Sequence, residues 1–345
     1  MILGWRLTDA ERREWLERLL ASGRRVVAPT HDGGLLLFRP IASPDEAVLD
    51  YGNTRWSPKE HLFPRSEELF SYRLTADEVK LEQRAPDAVE QVLFGLRPCD
   101  AAGLARLDSV FLDGAPDASY AERRSRTFTV SLACDSARPE CFCTAVGGSP
   151  GGTDGSDLQL VHLDGSWLLR ALTDKGVQLV ETVSALWEQA TDEDWAAAKR
   201  CQRAVEAEIA QMPLAAEWAG VLEGAFGHPL WAAVGERCLG CGVCAYVCPS
   251  CSCFDVDDNG SAFCGTRCRL WDSCGFASFT KHASGHNPRP DQPSRYRQRV
   301  LHKFAYYPLE HGSFMCVGCG RCTVLCPVGL DIQQTVRHVV EEALT

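Results

Sequence analysis

The 345-residue chain reads as an α+β protein with an α/β N-terminal domain, a helical connector and a cysteine-organised C-terminal domain. Three observations predict this. Residues 1–180 mix short apolar strand signals with amphipathic helix signals. Residues 181–235 are rich in Ala, Glu and Arg, as connector helices are. Residues 236–345 carry one cysteine run written twice, the plainest internal repeat in the chain.

Taken in order, Thr8-Asp9-Ala10-Glu11 is a capping-box pattern that opens a helix through Leu20. That helix puts Trp15, Leu16, Leu19 and Leu20 on one face. Residues 25–29 and 34–38 look like two strands around a His-Asp-Gly-Gly turn. Residues 91–96 form an apolar strand running into Arg97-Pro98-Cys99-Asp100, and a helix over 101–111 follows with Asp100 as its cap. Residues 127–133 make another strand, ending at Cys134. Residues 158–163 and 166–172 pair around Asp164-Gly165. In the connector, residues 181–211 read as a helix ended by Met212-Pro213. A second helix spans 214–234, interrupted near Gly227-His228-Pro229.

The duplicated run is Cys238-x2-Cys241-x2-Cys244-x3-Cys248-Pro249 and Cys316-x2-Cys319-x2-Cys322-x3-Cys326-Pro327. This is the bacterial-ferredoxin spacing for [4Fe–4S] ligation. Three cysteines at i, i+3 and i+6 wrap one face of a cube, and Gly240, Gly242, Gly318 and Gly320 let the backbone approach the sulfurs. The C-terminal domain is therefore expected to be ferredoxin-like, with two [4Fe–4S] clusters and a long insertion over 249–315. In two-cluster ferredoxins the fourth cysteine of each run serves the other cluster. On that rule Cys238, Cys241, Cys244 and Cys326 hold one cluster; Cys316, Cys319, Cys322 and Cys248 hold the other. Cys251, three residues beyond Cys248, competes for that last role. Zinc knots also use four thiolates, but as two separated pairs rather than a triple followed by Cys-Pro.

Eighteen cysteines leave ten outside the two runs. Cys99, Cys134, Cys141 and Cys143 sit at strand ends or turns of the N-terminal domain and are candidate ligands of a third cluster or metal. Buried thiols are the plainer account of them. Cys251, Cys253, Cys264, Cys268 and Cys274 lie in the insertion and read as packing or supporting residues, with a further metal site as the alternative. Cys201 stands alone in a helix. The insertion also holds a basic stretch, Lys281, Arg289, Arg295, Arg297, Arg299 and Lys303, with Asp291 as the only acid over residues 281–303. Cations near a negatively charged cluster raise its potential, and a basic patch also suits an acidic partner.

Net charge is −11, which argues against a broad nucleic-acid footprint. No apolar run approaches the roughly 20 residues that span a bilayer. The N-terminus lacks an apolar signal-peptide segment, so a cytoplasmic protein is expected, without a membrane partner. A disulfide framework belongs to short exported chains. No Gly-x-Gly-x-x-Gly or Gly-x4-Gly-Lys-Ser/Thr loop is present. No Cys-x-x-Cys pairs frame a nickel site. His31, His61 and His311 belong to no acid–base constellation. No catalytic residue is assigned: the chain reads as an electron conductor rather than a complete catalyst. A self-contained flavin or metal oxidoreductase using the N-terminal domain is the alternative from another class.

Phe94-Gly-Leu-Arg-Pro-Cys-Asp100, Asp108-Ser-Val-Phe-Leu112 and Cys141-Phe-Cys143 resemble the beta subunit of cytosolic NAD(P)-linked [NiFe] hydrogenases, the sulfhydrogenases. So do Cys248-Pro-Ser-Cys-Ser-Cys253, Arg269-Leu-Trp-Asp-Ser-Cys274, His302-Lys-Phe304 and the second cysteine run. The electron-transfer subunit of anaerobic sulfite reductase is similar to the same family. The resemblance covers most of the chain from about Ser57 onward. It implies a heteromeric complex in which this chain relays electrons between the [NiFe] hydrogenase subunits and a flavin- and NAD(P)H-binding subunit. In the sulfite reductase alternative the same relay feeds sulfite reductase subunits.

Overall fold

The computed structural model describes residues 3–84, 89–184, 187–209, 214 and 217–345. Its strands, in chain order, are β1 (Gly4–Leu7), β2 (Arg25–Asp32), β3 (Leu35–Pro40), β4 (Ser66–Leu74), β5 (Val79–Gln83), β6 (Gln91–Leu96), β7 (Thr127–Leu132), β8 (Leu158–Leu163), β9 (Ser166–Ala171), β10 (Glu188–Gln189), β11 (Phe254–Gly260) and β12 (Cys264–Trp271). The chain divides into two compact units. The first comprises Met1–Pro58, Ala88–Leu214 and Val317–Gly320; the second comprises Lys59–Asp87, Ala215–Cys316 and Arg321–Thr345.

The first unit is built on a mixed sheet in the order β10-β1-β9-β8-β7-β6-β2-β3. Its centre is parallel, with β2, β6, β7 and β8 pairing in turn, and its flanks are antiparallel. Every residue of β6 and β7 is buried, as expected for parallel strands covered on both faces. Helix α1 (Asp9–Ala21) buries Trp15, Leu16 and Leu19 against this sheet. Trp15 meets Phe94 and Trp187 edge to face at 5.6 and 5.9 Å. The capping box forms as the sequence predicts: Glu11 N–H donates to Thr8 Oγ1, and Thr8 N–H donates to the Glu11 carboxylate. Another core cluster gathers Ala133, Val161, Leu163 and Leu168 with Ala198.

Helix α2 begins earlier than the sequence suggests. It spans Pro98–Phe111, so Asp100 lies buried inside its first turn rather than capping it. Arg97 is the N-cap and makes no side-chain cap bond. Proline suits the first helical turn because its missing N–H has no partner there anyway. The connector is not one helix. Asp174–Ser184 and Asp192–Glu208 are separate helices, and Asp192–Glu208 carries its own capping box at Thr191. Met212-Pro213, expected to end a helix, lies outside the described residues. Further on, Trp218–Gly224 and Leu230–Gly235 are helices in the second unit, joined by a 3-10 turn over Ala225–Gly227.

The second unit contains an antiparallel sheet in the order β11-β12-β4-β5. The long insertion supplies β11 and β12 and a helix, Gln292–Leu301. Residues 59–87 join it because β4 pairs with β12, from Ser66↔Leu270 to Arg73↔Cys264. A buried ion pair fixes that pairing: Arg269 Nη2 lies 2.5 Å from Glu67 Oε2. Helix Gln292–Leu301 continues through a π turn, His302–Tyr306, into Tyr307–His311. Pro308 has no N–H for the carbonyl four residues back, and the helix widens just before it.

Two glycines in the first unit separate backbone strain from crowding. Gly155 has φ +74°, and a Cβ there stands 2.2 Å from the Ala101 carbonyl oxygen. Gly165 has φ +70° but faces open space. Gly165→Ala is expected to cost about 1–2 kcal/mol. Gly155→Ala is expected to cost about 3 kcal/mol or more, because the backbone of α2 must also move. Denaturant unfolding of both variants reads the difference; equal costs would show that close approach at Gly155 does not matter.

Candidate metal centre

The two cysteine runs fold into loops of the same backbone form. Gly240 and Gly318 both have φ +66°, and Gly242 and Gly320 have φ +75° and +72°. These left-handed positions are open to glycine without strain. A Cβ at Gly242 meets the Phe276 ring at 2.5 Å, and one at Gly240 meets Gln292 Oε1 at 2.9 Å. The fourth cysteine of each run follows a short helix, Val243–Tyr246 or Arg321–Val324.

In the second unit, Cys238, Cys241, Cys244, Cys322 and Cys326 line one cavity. Thus three cysteines of the first run and two of the second face a common space, and Cys322, expected from the spacing rule to serve the other cluster, is among them. Gly240, Gly242, Pro327, Arg295 and Arg299 also line it. Gln292 Nε2 donates to Cys238 Sγ at 3.2 Å, and Leu330 N–H donates to Cys326 Sγ at 3.3 Å. Donors aimed at sulfur are what an iron–sulfur ligand set uses to stabilise its negative charge.

The remaining motif cysteines are distributed differently. Cys248 is buried, with Sγ 3.4 Å from Ser250 Oγ and 3.5 Å from Lys303 Nζ. Cys316 is buried, and its charge reaches Lys303 as well. Cys322 interacts with Cys244 and Arg299. Cys319 lies in Val317–Gly320, which belongs to the first unit. There its carbonyl accepts from Asn53 Nδ2 at 2.9 Å, and the Gly318 carbonyl accepts from Phe142 N–H at 2.9 Å. A Cβ at Gly318 stands 2.4 Å from the Cys143 nitrogen.

The charge balance of the second unit fits a negatively charged group among these thiols. Arg299 is buried, its Nε has no hydrogen-bond partner, and no carboxylate among the described residues forms an ion pair with it. Burial alone lowers its pKa, but the neighbouring sulfurs of Cys244 and Cys322, when ionised, more than offset this and raise it. Lys303, in the π turn, donates to Ser250 Oγ at 3.1 Å. Its pKa is likewise raised, because Cys248, Cys251 and Cys316 outweigh the burial. Lys59 is 2% exposed and donates to the carbonyls of Ala245 and Cys251 at 2.9 Å each. Burial lowers its pKa against the opposing charges of Cys251, Cys248 and Cys253. Isolated buried cations cost several kcal/mol each, so the charges of Arg299 and Lys303, which nearby sulfur favours, call for anionic sulfur beside them.

The basic insertion is therefore not simply a solvated loop. Arg295, Arg299 and Lys303 recur every fourth residue and are buried, a spacing that puts them on one helical face. That periodicity is the signal the sequence holds for them. Lys59 and Gln292 have none there. Lys281 is exposed.

In the first unit, Cys99 stands in the first turn of α2 and Cys134 two residues past β7. They follow the C-terminal ends of neighbouring parallel strands, where Leu96 pairs with Ser131. Cys134, Cys141 and Cys143 are close enough for their charges to interact. Burial pushes the Cys134 thiol up to about 11 against the pull of Arg97. Burial, then the charges of Cys134 and Cys141, push Cys143 up to about 12. Arg97, 2% exposed, supplies a buried cation here too. Cys201 lies on Asp192–Glu208. Among the described residues, no three His, Cys, Asp or Glu side chains close on a point suited to a single ion.

Residues 237–330 match the family model of the 4Fe-4S dicluster domain. Over its length the chain is similar to the sulfhydrogenase 2 subunit beta of Pyrococcus furiosus. The two are 34% identical over 333 residues, which cover 95% of this chain and 96% of that protein. No helix among the described residues is long and apolar enough to cross a membrane.

Lys303→Gln removes a buried charge beside Cys248. In the reconstituted protein this is expected to lower the midpoint potential of a cluster by tens of millivolts, since about 59 mV corresponds to a tenfold change for one electron. Lys281→Gln is expected to leave it unchanged. Redox titration followed by EPR checks both, and equal behaviour of the two variants would exclude electrostatic tuning by Lys303.

Proposed function

Because the chain belongs to the sulfhydrogenase beta-subunit family, we propose that it is the electron-relaying iron–sulfur subunit of a multi-subunit hydrogenase. In this reading it stands between the [NiFe] subunits and a flavin- and NAD(P)H-binding subunit, and it carries no catalytic residue of its own. The observation that carries the proposal is the duplicated run, with Cys238, Cys241, Cys244, Cys322 and Cys326 around one cavity.

By the ferredoxin rule Cys238, Cys241, Cys244 and Cys326 hold one [4Fe–4S] cluster, and Cys316, Cys319, Cys322 and Cys248 hold the second. When bound, such clusters take up and release single electrons. The protein's own groups prepare the ligands. Gln292 and the Leu330 N–H direct donors at Cys238 and Cys326 sulfur. Arg299 and Lys303 keep positive charge beside the thiolates and so favour the more negative, reduced state. Burial of Cys316, Cys319 and Cys248 limits access of water. Cys99, Cys134, Cys141 and Cys143 form a third site in the first unit, supported by the mutual proximity of the last three and by buried Arg97 beside Cys134.

Anaerobic iron and sulfide analysis, with EPR of the dithionite-reduced full chain, tests the ligand sets. The Cys238→Ser/Cys241→Ser double variant is expected to lose about four irons and four sulfides. Cys141→Ser/Cys143→Ser is expected to lose another four from a separate signal. Retention of all iron by the second variant would remove the third site alone. Zinc without acid-labile sulfide in the wild-type chain would overturn the relay.

A further inference from the structure

We propose that Arg295 is a positioning residue for the iron–sulfur ligand Cys238, acting through the side-chain amide of Gln292. The proposal rests on the relay reading above, in which Cys238 binds a cluster, and names what tunes that site. Its basis is a chain of hydrogen bonds in the second unit. Arg295 donates to Gln292 Oε1 twice, from Nε at 3.0 Å and from Nη2 at 2.9 Å. Its Nη1 donates to the carbonyls of Arg289 and Pro290 at 3.0 Å each. The other end of the same amide, Nε2, donates to Cys238 Sγ at 3.2 Å. A side-chain amide turned over keeps its shape but presents oxygen in place of N–H. Oxygen facing anionic sulfur repels it, so the direction of the amide decides whether Gln292 helps or harms the site. Two N–H groups on Oε1 fix that direction.

The backbone is arranged around this contact. Asp291 caps the helix Gln292–Leu301, its carboxylate accepting from Ser294 N–H at 2.8 Å. Gln292 therefore opens the first turn, and Arg295 stands three residues on, on the same face. A Cβ at Gly235 would stand 2.3 Å from Pro293 Cα, so the helix Leu230–Gly235 packs directly against the residue after Gln292. Cys238 N–H donates to the Gly235 carbonyl at 2.9 Å, which brings the cysteine beside the glutamine. The 2.9 Å from a Cβ at Gly240 to Gln292 Oε1 shows that this glycine of the cysteine loop leaves room for the amide.

Arg295 is 9% exposed, and its hydrogen bonds go to uncharged oxygens. The two carbonyls fix the plane of the guanidinium, and that plane fixes the amide. A charged donor on Oε1 also polarises the amide and strengthens Nε2–H as a donor. A stronger donor at Cys238 sulfur favours the more negative, reduced state of a cluster held there. Arginine suits this task because its fork of donors is rigid; lysine carries the same charge on one freely turning nitrogen.

The test uses the full chain, reconstituted anaerobically with ferrous iron and sulfide, and compares wild type with Gln292→Met, Arg295→Lys and the double variant. Methionine keeps the length of the side chain and removes the donor; lysine keeps the charge and removes the fork. Each single variant is expected to shift the reduction equilibrium of one cluster about fivefold toward the oxidised state, or about 40 mV at about 59 mV per tenfold change for one electron. The double variant is expected to match Gln292→Met alone, because Arg295 then has no amide to orient. Arg297→Lys, the same replacement on the same helix, is expected to leave the potential unchanged. Wild-type protein guards against a variant that fails to fold or to take up iron. With heavy nitrogen in its glutamine side-chain amides, pulsed EPR of the reduced protein is expected to show an amide nitrogen and an exchangeable proton coupled to a cluster. A potential unmoved by Arg295→Lys, additive shifts in the double variant, or no amide coupling in the wild type overturns the proposal and leaves the cluster at Cys238 standing. Wild-type protein with no acid-labile sulfide would remove the relay reading itself, and the proposal with it.

Discussion

Buried positive charge set against sulfur is the constraint on which the second unit depends. Lys59, Arg299 and Lys303 are all withdrawn from water, and their strongest opposing charges are cysteines. Desolvating a cation costs several kcal/mol even after relaxation; at Arg299 and Lys303 anionic sulfur offsets that cost, whereas at Lys59 burial outweighs it. Much local structure serves this arrangement. The helix Gln292–Leu301 presents Arg295 and Arg299 on one face, and the π turn carries Lys303 onward to Cys248 and Ser250. The strand β12 ends at Trp271, whose ring lies beside Lys59 and whose indole N–H donates to the Phe63 carbonyl at 3.0 Å. The sheet is thus a frame that holds a lysine against thiols.

What the sequence reveals follows how local each determinant is. The capping box at Thr8, the strand over residues 91–96 and the glycines of the cysteine loops depend on residues close in the chain, and they appear where local rules put them. The start of α2 lies three residues before the position those rules suggest: Asp100 is a good cap in isolation, but Pro98 preorganises the turn ahead of it. The pairing of β4 with β12 joins residues about 200 apart, and nothing local marks it. β5 and β11 alternate apolar and polar residues only briefly, and Val79, Leu81, Phe254 and Val256 are all exposed, so no buried face marks these strands in the sequence. The ligand cysteines are legible by spacing; Lys59 and Gln292 are not, because their roles exist only after folding.

The first unit shows a different route to a cysteine cluster. A parallel sheet sends successive strands out at one edge, so the residues following β6 and β7 meet without any sequence motif. Cys99 and Cys134 are brought there by topology, and Cys141 and Cys143 by the loop beyond. Arg97 links the two: its Nη1 donates to the Ala133 carbonyl at 3.1 Å, and its guanidinium lies 4.3 Å from the Tyr51 ring centre. A buried cation next to thiols therefore occurs in both units, on unrelated scaffolds.

Duplication gives the two cysteine runs one backbone form, and the surroundings then make them unequal. Gly242 closes against an aromatic ring, whereas Gly318 closes against the backbone of Phe142 and Cys143. The first run has Gln292 donating to a sulfur and Arg299 beside Cys244; the second has Asn53 fixing the Cys319 carbonyl and Lys303 near Cys316. Potential depends on hydrogen bonds to sulfur, nearby charge and exposure. Cys241 is exposed while its counterpart Cys319 is buried. Equal loops in unequal environments therefore set different potentials for a cluster bound at each run.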